Sequence, residues 1–405
     1  MRRRKLAAVD VGSTKICSIM ADTDGEDLRI MGVGTTPSAG IQKGLVVNLN
    51  DARESIRQSV QMAEQAAGYK MDSALVSITG RHISSVNNRG VVAVTGSRQV
   101  VRPDDVDRVL KVAQNIEQSA ADSGAVVLHL IPQHYAVDKQ EGIKNPVGMH
   151  GFRLDVEAHI VTGAVTAVEN LTKCVRGAGI QIEDFIFAPL ASAEGVLTED
   201  ERQSGVIMAD IGGGVTDIAV MKDGNILHTS VLPVSGHSIS HDVSVGLGVS
   251  LELAEEIKRK YASVEPGEER FADRTVTESG QSVPYGELYM IVRTRVEELL
   301  RLIMLELPGD ANKYLRSGLV LTGGSSNLPG IEHLGLEVSH MPVRIGVPPQ
   351  LYGVSDSLVD PAFSTSVGLL LWELSNASNR SEKGERPSRS FFSDLGGLFA
   401  RKKAS

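Results

Sequence analysis

Two glycine-rich turns, set in repeated halves of the chain, constrain this sequence more than any other feature. The run Ala8–Met20 is an apolar segment ending in Asp10, a turn containing Gly12, Ser13 and Thr14, and a second apolar segment that starts at Lys15. The run Ala209–Val220 repeats that plan, with Asp210 at the strand end and Gly212, Gly213 and Gly214 in the turn. Glycine lacks a Cβ, so such a turn can take positive φ and aim several N–H groups at one anion. A carboxylate at the strand end can hold Mg2+ directly or through water. One such hairpin is a common turn. Two in repeated halves predict two jaws closing on one nucleoside triphosphate.

The chain has 405 residues, more than the roughly 250–300 at which single cores stop growing, so more than one domain is expected. Its net charge of −9 argues against nucleic-acid binding by the body. The charge is uneven. From Ser375 onward there are seven Lys/Arg against three Asp/Glu, a basic tail on an acidic body, which points to a separate partner for the tail. Cys17 and Cys174 lie in apolar segments without metal-type spacing and read as packed, reduced thiols. The basic start Met1–Lys5 has no uninterrupted apolar region after it, and no run approaches 18 apolar residues, so neither a signal peptide nor a membrane span is expected.

Residues 5–35 read as three strands joined by turns. Ala52, Ile56, Val60, Ala63 and Ala67 share one helical face that ends at Gly68. Between about Ile83 and Val161 short β-rich pieces flank one helix opened by Pro103, a small α+β insert. Residues 236–305 read as mostly helical, with Glu265–Glu269 and Thr275–Val283 as surface loops. Gly318–Ile331 reads as a buried strand, a glycine turn and a helix start, and residues 361–374 as a last apolar helix. Ser375–Ser390 contains no large apolar residue and is expected to be a disordered linker.

Five segments occur in a fixed order: the two phosphate-type hairpins, the connecting segment Phe187–Leu197, the segment Leu321–Ile331, and the closing helix Pro361–Leu369. Together they resemble the actin-like ATPase superfamily, an α/β fold of two jaws. In that setting Gly12, Ser13, Thr14, Gly212, Gly213 and Gly214 are candidate phosphate binders, and Asp10 and Asp210 candidate Mg2+ ligands, partly through water. Lys15 is a candidate point charge for a phosphate or else a solvated lysine at a strand start. Gly323, Gly324 and Ser325 fall where adenosine would slide against the backbone. The resemblance places Glu255 and Lys258 beside the ribose and base; by composition alone they fit an exposed helix face.

One departure matters. Chaperones and actin carry a Glu or Gln that orients the attacking water, and the matching residue here is Ala188. Alanine cannot polarise water, and Glu194 and Asp217 are the remaining candidates for a catalytic carboxylate. ATP binding with slow hydrolysis is therefore expected.

Thr79–Gly90, His129–Asp138 and Asn145–Asp155 in the insert, with Gly236–Leu247 running into Ala254–Ala262, resemble the FtsA family of bacterial cell-division proteins over the whole chain. The resemblance implies subdomain 1A at residues 1–82, 164–198 and, as a closing helix, 355–374. It implies subdomain 1C at 83–163, 2A at 199–235 and 306–354, and 2B at 236–305. A linker at 375–389 and an amphipathic membrane-targeting helix at 390–405 complete the chain. It further implies a tether for filaments of the tubulin homologue FtsZ, whose C-terminal peptide docks on 2B, where Arg293–Arg301 offers a basic surface. Self-assembly into actin-like filaments with 1C in the contacts, recruitment of later division proteins, and residence at the septum on the cytoplasmic side of the membrane follow as expectations. His129, His134, His150 and His159 share no metal-ligand spacing and read as packing or surface histidines.

In the last segment Phe391, Phe392, Leu395, Leu398 and Phe399 fall on one helical face, followed by Arg401, Lys402 and Lys403. This reads as an in-plane membrane anchor, with about 1 kcal/mol from each basic residue near anionic lipid. Docking of this helix on the body or on a partner is the alternative. Two other assignments remain on the same fold: a metabolic kinase, which would need a sugar pocket and has no use for such a tail, and the pilus-assembly relative PilM, which carries a similar insert.

Overall fold

The structure is a computed structural model that describes residues 4–24, 27–95, 98–115, 124–309, 315–354 and 356–383. Jaw 1 opens with β1 (Arg4–Val11), β2 (Lys15–Thr23) and β3 (Leu28–Pro37), then a short hairpin of β4 (Ile41–Gln42) and β5 (Leu45–Val46). Helix α1 (Leu49–Ala67) starts on the Asn48 side chain and stops at Gly68, whose φ of 78° no β-carbon opposes. β6 (Ser73–Ile78) leads into the insert: β7 (Ile83–Ala93), α2 (Pro103–Asn115), β8 (Ala125–Val137), β9 (Gln140–Ile143) and β10 (Arg153–Ala164). The insert forms its own sheet in the order β7-β10-β8-β9. Val109 and Ala113 of α2 are buried in its own core with Leu154 and Val156.

The chain returns to jaw 1 through α3 (Val165–Gly177) and β11 (Gln181–Phe187), then crosses over by α4 (Ala188–Val196) and α5 (Glu199–Ser204). Jaw 2 has β12 (Val206–Ile211), β13 (Thr216–Lys222) and β14 (Asn225–Leu232), then α6 (Gly236–Leu247), α7 (Leu251–Tyr261), β15 (Thr275–Glu278), β16 (Gln281–Pro284) and α8 (Tyr285–Leu305). It closes with β17 (Leu319–Thr322), α9 (Ile331–Ser339) and β18 (Val343–Ile345). β19 (Tyr352–Gly353) and α10 (Ser364–Lys383) belong to jaw 1 again.

The two main sheets run β11-β6-β1-β2-β3-β19 and β14-β13-β12-β17-β18. In each, an antiparallel hairpin carries the glycine turn and the strand before it pairs in parallel with a later strand: β1 with β6, β12 with β17. The sequence repeat is thus a structural repeat. Two expectations are corrected. Thr275–Val283 is not an open loop, because Val276 and Val283 pair in a β15–β16 hairpin and bury against α7 and α8. The linker expected from Ser375 is helical as far as Lys383, since α10 continues through it. Its remainder, and the anchor residues Phe391, Phe392, Leu395, Leu398, Phe399, Arg401, Lys402 and Lys403, lie outside the described residues.

Helices α4 and α10 meet between the jaws. A Cβ on Gly368 would lie 1.8 Å from the Ala191 carbonyl oxygen, so only glycine lets α10 approach this closely. That approach carries the hydroxyls of α10 to the ends of β1 and β12.

Candidate nucleotide site

Asp10 and Asp210 lie at the ends of strands β1 and β12 and are held by hydroxyls from β6 and the two crossing helices. Asp10 accepts from Ser77 Oγ at 2.8 Å and Ser366 Oγ at 2.7 Å. Asp210 Oδ2 accepts from Ser192 Oγ at 2.6 Å and Thr365 Oγ1 at 3.0 Å. Asp217, on β13, accepts from Thr79 Oγ1 across the cleft. Burial pushes the Asp210 carboxyl above its ordinary range, with Ser192 and Thr365 opposing and Asp10 adding to the rise. Asp217 is raised well above it, by burial first and then by the charge of Asp210. A desolvated cluster of carboxylates, balanced only by Lys15 nearby, is of the kind that a divalent cation could neutralise. Among the described residues no set of three His, Cys, Asp or Glu is close enough to hold a metal unaided, so two carboxylates and water would share that task.

The two turns meet face to face. A Cβ on Gly213 would lie 1.8 Å from Thr14 Oγ1, and one on Gly214 2.4 Å from Ser13 Oγ. Ser13 Oγ also accepts from the Gly44 amide at 3.0 Å, which ties the β4–β5 hairpin to the same point. Gly12 and Gly212 close their turns by donating to the Lys15 and Val215 carbonyls. Lys15 is not the solvated lysine of one of its two sequence readings. Its Nζ donates to the Ala362 carbonyl and sits 3.4 Å from the centre of the Phe363 ring, tying the first hairpin to the closing segment. Burial lowers its pKa, against the pull of Asp10.

The residues assigned to adenosine gather on the jaw 2 side. The Gly236 amide donates to the Gly212 carbonyl at 3.0 Å, Ser325 Oγ to the same carbonyl at 3.3 Å, and Lys258 Nζ to the Gly236 carbonyl at 3.1 Å. Lys258 pairs with Glu255 at 2.6 Å, with its side chain 13% exposed. The exposed-face reading of Lys258 therefore fails. Gly323 abuts Asp210, and Gly324 opens the turn that holds Ser325.

Glu194 is removed as a catalytic candidate: both its oxygens accept from Arg202, at 2.7 and 3.0 Å, and its partners belong to α5 and α10 rather than to the hairpins. Asp217 remains. Ala188 is buried at the start of α4. The basic surface expected along Arg293–Arg301 is also corrected, since Arg293 pairs with Glu337, Arg295 with Asp242 and Glu298, and Arg301 with Glu297. Residue-by-residue reasoning missed Ser77, Thr79, Ser192, Thr365 and Ser366. The signal available was a run of small hydroxyl residues, Ser364–Ser366, at the head of an apolar helix.

Two jaws of matched topology, each presenting a glycine hairpin to a shared carboxylate cluster, define an actin-like ATPase fold. The same fold is seen in a PilM–PilN type IV pilus biogenesis complex, with a TM-score of 0.68 at 15% identity over 92% of this chain and 99% of that one. It is seen again in MreB5 of Spiroplasma citri bound to ADP, with a TM-score of 0.54 at 11% identity over 93% and 99%. A family profile described as "SHS2 domain inserted in FTSA" matches residues 80–162, and one described as "Cell division protein FtsA" matches residues 207–368. The chain is 39% identical over 384 residues to the cell division protein FtsA of Pseudomonas aeruginosa, covering 93% of this chain and 91% of its relative. It is 34% identical to the FtsA proteins of Bacillus subtilis and Escherichia coli K12, covering 93% and 91% of this chain and 85% and 90% of theirs. The chain belongs to the FtsA family of cell-division proteins. PilM is similar in fold alone.

Proposed function

We propose that this actin-like cell-division protein binds ATP and Mg2+ and tethers FtsZ filaments to the cytoplasmic side of the cell membrane at the septum. Gly12, Ser13, Thr14, Gly212, Gly213 and Gly214 line the phosphate end. Asp10 and Asp210 would hold Mg2+, partly through water, where it neutralises phosphate charge. Glu255, Lys258, Gly323, Gly324 and Ser325 form the adenosine end. With Ala188 in place of a water-orienting side chain and Glu194 bound to Arg202, hydrolysis is slow, below about 1 s⁻¹.

The observation that carries the membrane role is the tail: Phe391, Phe392, Leu395, Leu398 and Phe399 on one face, with Arg401, Lys402 and Lys403 beyond. No helix among the described residues is long and apolar enough to cross a membrane, which fits attachment in the plane of the bilayer. FtsZ docks on subdomain 2B. With the arginines of α8 paired, the support there is a groove of about 480 Å³ between α6 and α8, with Val245, Gly246, Met290 and Ile291 as its apolar floor and a mixed polar edge of His241, Asp242, Thr294, Arg295 and Glu298. Copies of the chain assemble through contacts that include 1C, and later division proteins are recruited to the assembly.

Co-sedimentation with anionic liposomes and FtsZ tests this reading. The full chain carries FtsZ to the pellet, and the chain without residues 390–405 does not. Phe391→Glu combined with Leu398→Glu releases the protein from the vesicles; unchanged binding would refute the anchor.

A further inference from the structure

Subdomain 1C is covalently part of jaw 1, yet it is seated on jaw 2. β14 is the outer strand of the second sheet, and its free edge presents carbonyl groups that need donors. The insert supplies them from side chains. Ser85 Oγ donates to the Thr229 carbonyl at 2.8 Å, Asn87 Nδ2 to the Leu227 carbonyl at 2.8 Å, and Gln133 Nε2 to the Ile226 carbonyl at 2.5 Å. Ser85 and Asn87 are two apart on β7, as Thr229 and Leu227 are on β14, so the strands lie antiparallel in a fixed register.

His159 of β10 locks that register. Its Nδ1 is 2.6 Å from Asn87 Oδ1 and its Nε2 2.9 Å from Thr229 Oγ1. Asn87 spends its amide N–H on Leu227, so its Oδ1 is the acceptor. Nδ1 of His159 therefore carries the proton, and Nε2 accepts from the Thr229 hydroxyl. His159 and Thr229 are 1% and 2% exposed, and a satisfied polar network at that depth specifies one seat.

This seat closes a ring. Asp217 lies on β13, where it pairs in register with Val231 of β14. β14 is held to β7 by the contacts above. β7 runs back through Gly80 to Thr79, and Thr79 donates to Asp217. The ring crosses between the jaws twice, at Thr79–Asp217 and at β7–β14. A rotation of one jaw against the other about any axis that does not run through both crossings breaks at least one of them.

We propose that subdomain 1C is a clamp on jaw motion, which couples the carboxylate end of the cleft to the placement of the insert. The inference rests on this ring alone and does not depend on which ligand the cleft takes. Spin labels on Met62→Cys in α1 and Leu251→Cys in α7, both exposed positions, report the distance between jaws. Cys17 and Cys174 are buried and stay unlabelled. The unaltered ring gives one narrow distance distribution. Ser85→Ala with Asn87→Ala widens or shifts it and raises amide exchange over residues 225–232 at least tenfold. An unchanged distribution overturns the clamp. Thr79→Val, which breaks the other crossing and leaves the β7–β14 contacts in place, is a second variant. It widens or shifts the distribution likewise, and no change overturns the clamp.

Discussion

Thr14 and Gly213 face each other across the cleft so closely that a Cβ on Gly213 would come within 1.8 Å of the Thr14 hydroxyl oxygen. The neighbouring carbon is farther away, at 3.2 Å, so the conflict is with one atom. Gly213→Ala should force the hairpins apart and weaken binding of a fluorescent ATP analogue more than tenfold. Adding Thr14→Ala removes the offending oxygen and should recover most of that loss. Loss without recovery would mean that the Thr14 Cβ and His237, at 3.2 and 3.5 Å, also bar a side chain there.

Asp217 is the least comfortable carboxylate in the cleft. Its folded-state pKa lies well above the ordinary 3.8, from burial first and the Asp210 charge second. A raised carboxyl pKa means that the unfolded chain releases this proton earlier as pH rises. Stability is therefore lost between pH 3.8 and the folded value, and the deficit persists at neutral pH. Asp217→Asn keeps an oxygen to accept from Thr79 and removes the ionisable group. It should stabilise the ligand-free protein at pH 7.5 by about 1–3 kcal/mol, with the gain shrinking as pH approaches 4. Urea denaturation at several pH values measures this. A destabilised Asp217→Asn would show that the carboxylate is compensated.

Two buried histidines add to the loss of stability at acid pH. Burial lowers His129 to about 4, with His159 adding to the effect, and lowers His159 to about 4, with His228 adding. The Phe187 amide donates to His129 Nε2 at 3.0 Å, which requires the neutral ring. Between pH 6.5 and 4 the unfolded chain binds protons that these rings refuse, so stability falls as pH falls through that window and levels off below it. Each ring contributes up to about 3 kcal/mol. His129→Gln retains an acceptor for Phe187 and should flatten the slope of stability against pH; an unchanged slope would assign the acid loss to other groups.

The site and its scaffold were unequally legible. The hairpins around Gly12 and Gly212 could be read from an apolar strand, an Asp and the glycines, but the reason given for the glycines is corrected. None of Gly12, Gly212, Gly213 and Gly214 takes positive φ. A Cβ at Gly12, Gly213 or Gly214 would instead meet the Lys15 carbonyl, the Thr14 hydroxyl or the Ser13 hydroxyl. Helix α1 could be read from one apolar face and Gly68. The groups that hold the carboxylates could not. Ser192 and Thr365 meet on Asp210 only because α4 and α10 pack at Gly368, a contact between segments 173 residues apart. Charge was the most misleading cue. Glu194, Arg293 and Arg295 each looked available, and each is paired with a partner that helix spacing does not disclose. Arg301, in contrast, pairs with Glu297 at i,i+4, a contact the spacing did offer. The helical extension to Lys383 misled in the opposite way, since a segment with no large apolar residue can still continue a helix begun by Val367, Leu369 and Leu370 in the core.

The groove between α6 and α8 separates two functions that the proposal assigns to one chain. Val245 and Met290 are 71% and 58% exposed, so they contribute little to folding and a charge at either position is readily solvated. Both line the groove. Apolar contacts of this kind carry most of the affinity of a short peptide, and a carboxylate at the centre removes them while adding a desolvation cost. Val245→Glu with Met290→Glu should therefore lower FtsZ-peptide affinity at least tenfold by fluorescence anisotropy. The melting temperature and vesicle binding should stay unchanged, because neither the α8 core at Val292 and Val296 nor residues 390–405 are touched. Truncation at residue 389 should give the opposite pattern: peptide binding retained and vesicle binding lost. If both variants lose both activities, tail and groove act as a single surface, and the assignment of peptide to 2B and lipid to the tail is wrong.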